Sequence, residues 1–132
     1  MKKKVETAYG VIGLGRFGEA LAMMLAQSGH EVIAVDKDEK KVKEMRQYTD
    51  CAFVADNLSS DTLKEIGIQN CDVVIICIGE KVDVSVLTTM SVIEMGVPRV
   101  IAKALSPEQG AVLSKLGAEV VYPERDLSLI HI

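Results

Sequence analysis

Cysteine is scarce and badly spaced for covalent or metal work. The 132 residues hold three, Cys51, Cys71 and Cys77, with no CxxC among them. An odd count without that spacing argues against a disulfide framework and gives no support to a metal site. Each thiol lies beside or within an apolar run, so buried free thiols are expected. Clustered positive charge is also missing. The formal net charge is −4, and the one basic cluster is Lys2 to Lys4. Nucleic acid is therefore disfavoured as a partner, because phosphate contacts need grouped lysines and arginines. The N-terminal lysines read as a solubilising tail. No apolar run approaches the length of a membrane span. Glu6 and Thr7 break the basic-then-apolar pattern of a signal peptide. A soluble, cytosolic protein is expected, joined to any membrane only through a partner. Catalytic equipment is thin as well. The two histidines are His30, in a turn, and His131, in the final residues. They form no Ser-His-Asp set, and these 132 residues are expected to hold no second domain that would bring an acid–base group to a substrate.

What the sequence does contain is a regular alternation of strand and helix. Apolar Ala8 to Ile12 precedes an amphipathic stretch, Arg16 to Ser28, with Phe17, Leu21, Met24 and Leu25 on one face. Gly29 stops it, and "EVIAVD", Glu31 to Asp36, follows as a β-branched strand. Asp38 to Gln47 reads as a charged helix with Val42 and Met45 inward, then "CAFVAD", Cys51 to Asp56, as a strand. Ser59 or Ser60 caps a short helix that ends at Ile66 before Gly67. "DVVIICIG", Asp72 to Gly79, is the most apolar strand and is expected at the centre of the sheet. Helix Asp83 to Met95, strand "RVIAKA" (Arg99 to Ala104), a helix opened by Ser106-Pro107 and strand Ala118 to Pro123 complete the pattern.

Six such cycles with short connections predict an α/β fold of one domain, a doubly wound, Rossmann-like parallel sheet of six strands. The domain is expected to span residues 1–126. Residues 127–132 break the alternation and read as a tail, either a truncated helix or residues added in cloning. Helix Asp83 to Met95 carries Val84, Val86, Leu87, Met90, Val92, Ile93 and Met95 around most of its circumference. That suggests a second buried face, against another subunit.

The segment "VIGLGRFG" links the first strand to the first helix. Gly13, Gly15 and Gly18 form GxGxxG: a tight turn, a close approach for pyrophosphate, and a helix packed on its strand. Leu14, Arg16 and Phe17 complete the loop, and Arg16 is placed to neutralise phosphate charge. The helix N-terminus adds free N–H groups for an anion. Asp36 ends the second strand, where a carboxylate accepts from ribose hydroxyls and repels a 2′-phosphate. Its other reading is a helix N-cap. Lys37 is either a phosphate partner or a solvated helix-start lysine. Asp56, with Asn57, ends the third strand and either reaches the adenosine or caps the next turn. Cys77, Ile78 and Gly79 bring backbone to the same edge, and nothing beside Cys77 in sequence would activate its thiol. Lys103 ends the fifth strand as a candidate phosphate or carboxylate partner.

Taken together, "VIGLGRFG", "GHEVIAVD", the strand ending at Asp56, "DVVIICIG", "RVIAKA" and "GAEVVYPERD" resemble the regulator-of-potassium-conductance nucleotide domain, also called KTN or TrkA-N. Within it the likeness is to the cytosolic gating subunits of Ktr-type bacterial potassium transporters, over residues 8–126. The resemblance implies a non-enzymatic domain that binds ATP, ADP or NAD(H). It implies a homodimer, and in full-length chains an octameric ring beneath a membrane potassium-transport subunit whose flux the nucleotide gates. Arg16 would meet the γ-phosphate, Asp36 the ribose, and Glu124 of "PERD" a divalent cation, Mg2+ or Ca2+. Such subunits carry a further C-terminal domain, so a truncated chain is expected. The alternatives from other classes are a fragment of an NAD-dependent oxidoreductase and a sensor of the NADH/NAD ratio.

Overall fold

The computed structural model describes residues 7–123. Its elements follow one another as β1 (Ala8–Ile12), α1 (Arg16–Gln27), β2 (Glu31–Asp36), α2 (Glu39–Met45), β3 (Ala52–Val54), α3 (Ser60–Ile66), a 3-10 turn (Ile68–Asn70), β4 (Val73–Ile76), α4 (Val82–Glu94), β5 (Arg99–Lys103), α5 (Pro107–Leu116) and β6 (Glu119–Val121). The six strands form one sheet in the order β3-β2-β1-β4-β5-β6, and every pairing is parallel. This is the doubly wound arrangement that the alternation predicts.

Period-two side-chain alternation divides the apolar strands between two cores. Val11, Ala34, Val73, Ile75 and Ile101 pack on one face with Leu21 and Leu25 of α1 and Val42 and Met45 of α2. Ile12, Val35, Val74, Ile76, Val100 and Ala102 pack on the other with Leu63 of α3, Val92 of α4 and Leu113 of α5. β4 is buried at all four positions because helices cover both of its faces. A continuous apolar run is what such a strand requires.

Local chemistry sets the helix ends. Asp38 Oδ1 accepts from the N–H of Lys40 at 2.9 Å. Ser59 Oγ accepts from Thr62 N–H, and Ser106 Oγ from Gln109 N–H, with Pro107 in the first helical position. Gly67 and Gly117 end α3 and α5 in the left-handed conformation.

Four strands are shorter than their apolar runs. β3 occupies Ala52–Val54 of Cys51 to Asp56, β4 occupies Val73–Ile76 of Asp72 to Gly79, β5 stops at Lys103, and β6 occupies Glu119–Val121 of Ala118 to Pro123. Single rungs persist beyond the ladders at the carboxyl edge: Cys77 N–H donates to Ile12 O at 2.7 Å and Ala55 N–H to Asp36 O at 3.0 Å. There the backbone leaves the sheet for loops that stay apolar because they line a crevice.

Leu63 is fully buried between α3 and the sheet. Leu63→Ala is expected to lower unfolding free energy by about 2–5 kcal/mol, measured by urea denaturation.

Candidate nucleotide site

The crevice opens where the strand order reverses, above the carboxyl ends of β1 and β4. Its floor is tight. Gly13 has a φ of +104°, and a Cβ there would stand 2.8 Å from the carbonyl oxygen of Cys77. Its own N–H donates to Val35 O at 2.8 Å, which ties the loop to β2. A Cβ on Gly18 would run into the carbonyl oxygen of Gly13. Gly13 and Gly18 are thus demanded by protein packing. Gly15 differs: nothing lies within 4 Å of the place its Cβ would take, and its φ of −70° suits any residue. The space above Gly15 is open, at the start of α1, where no side chain caps the helix. Free backbone N–H groups and the positive end of the helix dipole face that space.

Asp36 has a role that its position in the sequence does not display. Its Oδ2 accepts from Leu14 N–H at 2.6 Å and its Oδ1 from Asp38 N–H at 2.8 Å. The carboxylate therefore pins the glycine loop to the end of β2. Each oxygen keeps a further lone pair for a hydroxyl. The alternative reading of Asp36 as a helix cap is corrected, since Asp38 caps α2. The cap of α3 is likewise Ser59 and not Asp56. Asn57 supports that turn, its Oδ1 accepting from Ser59 N–H and Thr62 Oγ1. Asp56 makes no hydrogen bond or ion pair among the described residues and stays exposed at the rim.

A cavity of about 470 Å³ collects Gly13, Leu14, Gly15, Asp36, Lys37, Asp56, Asn57, Cys77 and Ile78. The Leu14 side chain is only 1% exposed and anchors the loop in the core. Lys81, Leu58 and Val84 also line this cavity. None of the three is among the expected site residues, and Val84 is expected instead on the apolar surface of α4. Lys81 follows β4 as Lys103 ends β5, so the same sheet-edge argument would have found it. Arg16, Phe17 and Lys103 lie elsewhere. They line a second cavity of about 520 Å³ on the far side of the loop, with Leu105, Ser106 and Tyr122. The hydroxyl of Tyr122 lies where a Cβ on Gly110 would be, so its ring is seated against α5. Neither Arg16 nor Lys103 pairs with a carboxylate among the described residues. Gly79 lines neither cavity but makes room for Lys103, whose Nζ would be 3.1 Å from a Cβ at that position. Glu124 lies outside the described residues, as does His131. His30 stacks edge-on against Tyr9, 5.0 Å between ring centroids, at the amino ends of the strands and away from the crevice.

Burial pushes the Cys77 thiol up to about 12, against the opposing pull of Lys103. Burial, with the charge of Asp72, pushes Cys71 up to about 11. Both stay protonated at neutral pH and neither is a nucleophile.

The family model for the TrkA-N domain matches residues 9–123. The chain belongs to the TrkA-N domain family. It is 42% identical over 129 residues to Ktr system potassium uptake protein C of Bacillus subtilis, covering 97% of this chain and 57% of that protein. The chain thus spans just over half the length of that relative. Among solved structures it is similar to the TrkA-N domain of inner membrane protein ybaL from Escherichia coli, with a TM-score of 0.79, 19% identity, and coverage of 96% of this chain and 95% of that one. It is also similar to the Kef CTD of Shewanella denitrificans in its AMP-bound form, with a TM-score of 0.77, 17% identity, and coverage of 93% and 76%. At those identities the structural likeness establishes the fold.

The two loop glycines should separate cleanly. Gly18→Ala is expected to cost about 1–3 kcal/mol of stability through overpacking, whereas Gly15→Ala should shift the melting temperature by less than about 2 °C. Thermal denaturation followed by circular dichroism checks both. The thiols give a further measurement. With Cys51 exposed and the other two buried, Ellman's reagent at pH 8 should titrate one thiol in the native protein and three after unfolding. Both buried thiols have folded pKa values above the ordinary 9.0. Their stabilising effect is therefore intact below about pH 9 and lost as pH rises through the folded values.

Proposed function

We propose that the domain binds an adenine nucleotide across the carboxyl edge of its sheet, and that exchange of nucleotide regulates a membrane potassium uptake system. The observation that carries the reading is the open space over Gly15, flanked by a carboxylate fixed at 2.6 Å from the loop's own N–H. Open backbone at a helix N-terminus suits phosphate, and a positioned Asp36 suits a ribose. The kinship with a potassium uptake protein and the likeness to an AMP-bound domain support the same assignment.

In this reading Gly13, Leu14 and Gly15 present backbone to the phosphates, while Gly18 makes room for the loop. Asp36 takes the ribose, and Lys37, Asp56 and Asn57 surround the adenosine. Cys77 and Ile78 form the floor. Arg16, Phe17 and Lys103, with Gly79 giving space, meet whatever extends beyond the loop. The role is binding and reporting rather than hydride transfer. A ligand shifts a protein only through unequal contact with its two states, and Arg16 supplies such a difference between a triphosphate and a diphosphate. The second cavity also has room for the nicotinamide half of NAD(H), so the physiological ligand is decided by titration.

The partners follow from the same reading. On α4, Val82, Leu87 and Met90 are exposed. That apolar face is assigned to a second copy of the chain, as a homodimer and, in a longer chain, an octameric ring. No described helix is long and apolar enough to cross a membrane. The domain is placed in the cytoplasm, attached to the membrane through a potassium-transport subunit.

Calorimetric titration of ATP, ADP, NAD and NADH into the pure domain tests the assignment, and failure to bind any of them overturns it. Arg16→Ala is expected to weaken ATP by about tenfold or more and ADP by about twofold or less, since a charge-assisted hydrogen bond is worth about 1.5–3 kcal/mol. Equal losses reject the γ-phosphate role. Gly15→Ala should abolish tight binding of every nucleotide.

A further inference from the structure

α4 is built inside out. It buries Ser85, Thr88, Thr89 and Val92 while Leu87 stands 62% exposed. Buried hydroxyls need partners. Thr89 Oγ1 donates to the Ser85 carbonyl within the helix, at 2.8 Å. Ser85 Oγ turns instead toward α5 and faces Gln109 Nε2 at 3.5 Å, a weak contact longer than the usual range of about 2.7–3.2 Å. Gln109 is itself only 3% exposed. Its Oε1 accepts from Leu105 N–H at 2.8 Å.

Helix capping explains part of this. Ser106 and Gln109 have the spacing of a capping box, in which the glutamine reaches back to the chain that enters the helix. A solvent-exposed glutamine would serve that purpose equally well. Here the amide reaches one residue past the cap, to Leu105, and its nitrogen turns away to α4.

The bridge joins two walls. The turn after β5 supplies Ala104, Leu105 and Ser106 to the cavity that holds Arg16 and Lys103. α4 closes the cavity that holds Asp36, through Val84, the neighbour of Ser85. Gln109 lies between them and contacts both.

We propose that Gln109 is a positioning residue that keeps the Ala104–Ser106 turn in register with α4. The far cavity then keeps the shape that receives the distal part of a nucleotide, while the adenosine end does not depend on the bridge. The inference rests on the nucleotide assignment above.

The test is calorimetry of AMP, ADP and ATP with the wild-type chain, Gln109→Met, Ser85→Ala and the double variant. Gln109→Met keeps length and removes both polar atoms. AMP affinity should stay within about twofold, while ATP affinity falls about fivefold, the worth of one hydrogen bond. Ser85→Ala leaves the capping box intact and should lower the ATP-to-AMP affinity ratio in the same direction. The double variant should be no worse than Gln109→Met alone, because both changes cut one bridge. Should Gln109→Met fail to fold, Ser85→Ala decides alone. Equal losses for AMP and ATP, or a silent Ser85→Ala, overturn the proposal. A wild-type chain that binds no nucleotide overturns the assignment beneath it instead.

Discussion

The close approach of the loop after β1 to the end of β4 governs the rest of this molecule. Gly13 can sit over the Cys77 carbonyl only because it lacks a Cβ and accepts a positive φ. Gly18 can then lie against the Gly13 carbonyl, and α1 starts where its free N–H groups look into the crevice. Any side chain at Gly13 would lift the loop from its floor. The cavity, the helix N-terminus and the Asp36 anchor would then lose their common geometry.

Asp36 shows how one group ties the fold to the wall of the crevice. It stands at the end of β2, two residues before the cap of α2, and spends one hydrogen bond on each neighbour. The remaining lone pairs point to no described partner. Leu14, buried below the same loop, adds an apolar anchor. A loop held from both sides is already ordered, which lowers the entropic cost of binding for the nucleotide proposed above.

Much of this was legible in the sequence, for identifiable reasons. The alternation of β-branched runs with 3.6-period stretches reports a doubly wound sheet directly, and the glycine spacing places the loop. Ser106-Pro107, Gly67 and Gly117 mark helix ends by local chemistry alone, which needs no tertiary information, and of Ser59 and Ser60 it is Ser59 that caps α3. What escaped depends on distant packing. The division of the loop residues between two cavities, with Arg16 parted from Gly15, is set by where α1 points. The grip of Asp36 on Leu14 spans 22 positions. The cap ambiguities at Asp36 and Asp56 were resolved in favour of Asp38 and Ser59, because only those residues sit one step before a helix in extended backbone. The reversed burial of α4 was half visible: its apolar spread was plain, but that it hides Ser85 and Thr89 was not.

The central strand β1 pairs on one side with β4, which the chain reaches late; Ala8 N–H bonds to the Asp72 carboxylate across 64 positions. The glycine loop is thus synthesised early and stays without a floor until the middle of the chain has emerged. Closing that long segment costs chain entropy before pairing repays it. The N-terminal half on its own, β1 to β3, has every glycine of the loop and its ties to β2, but not the Cys77 backbone that lies beneath Gly13.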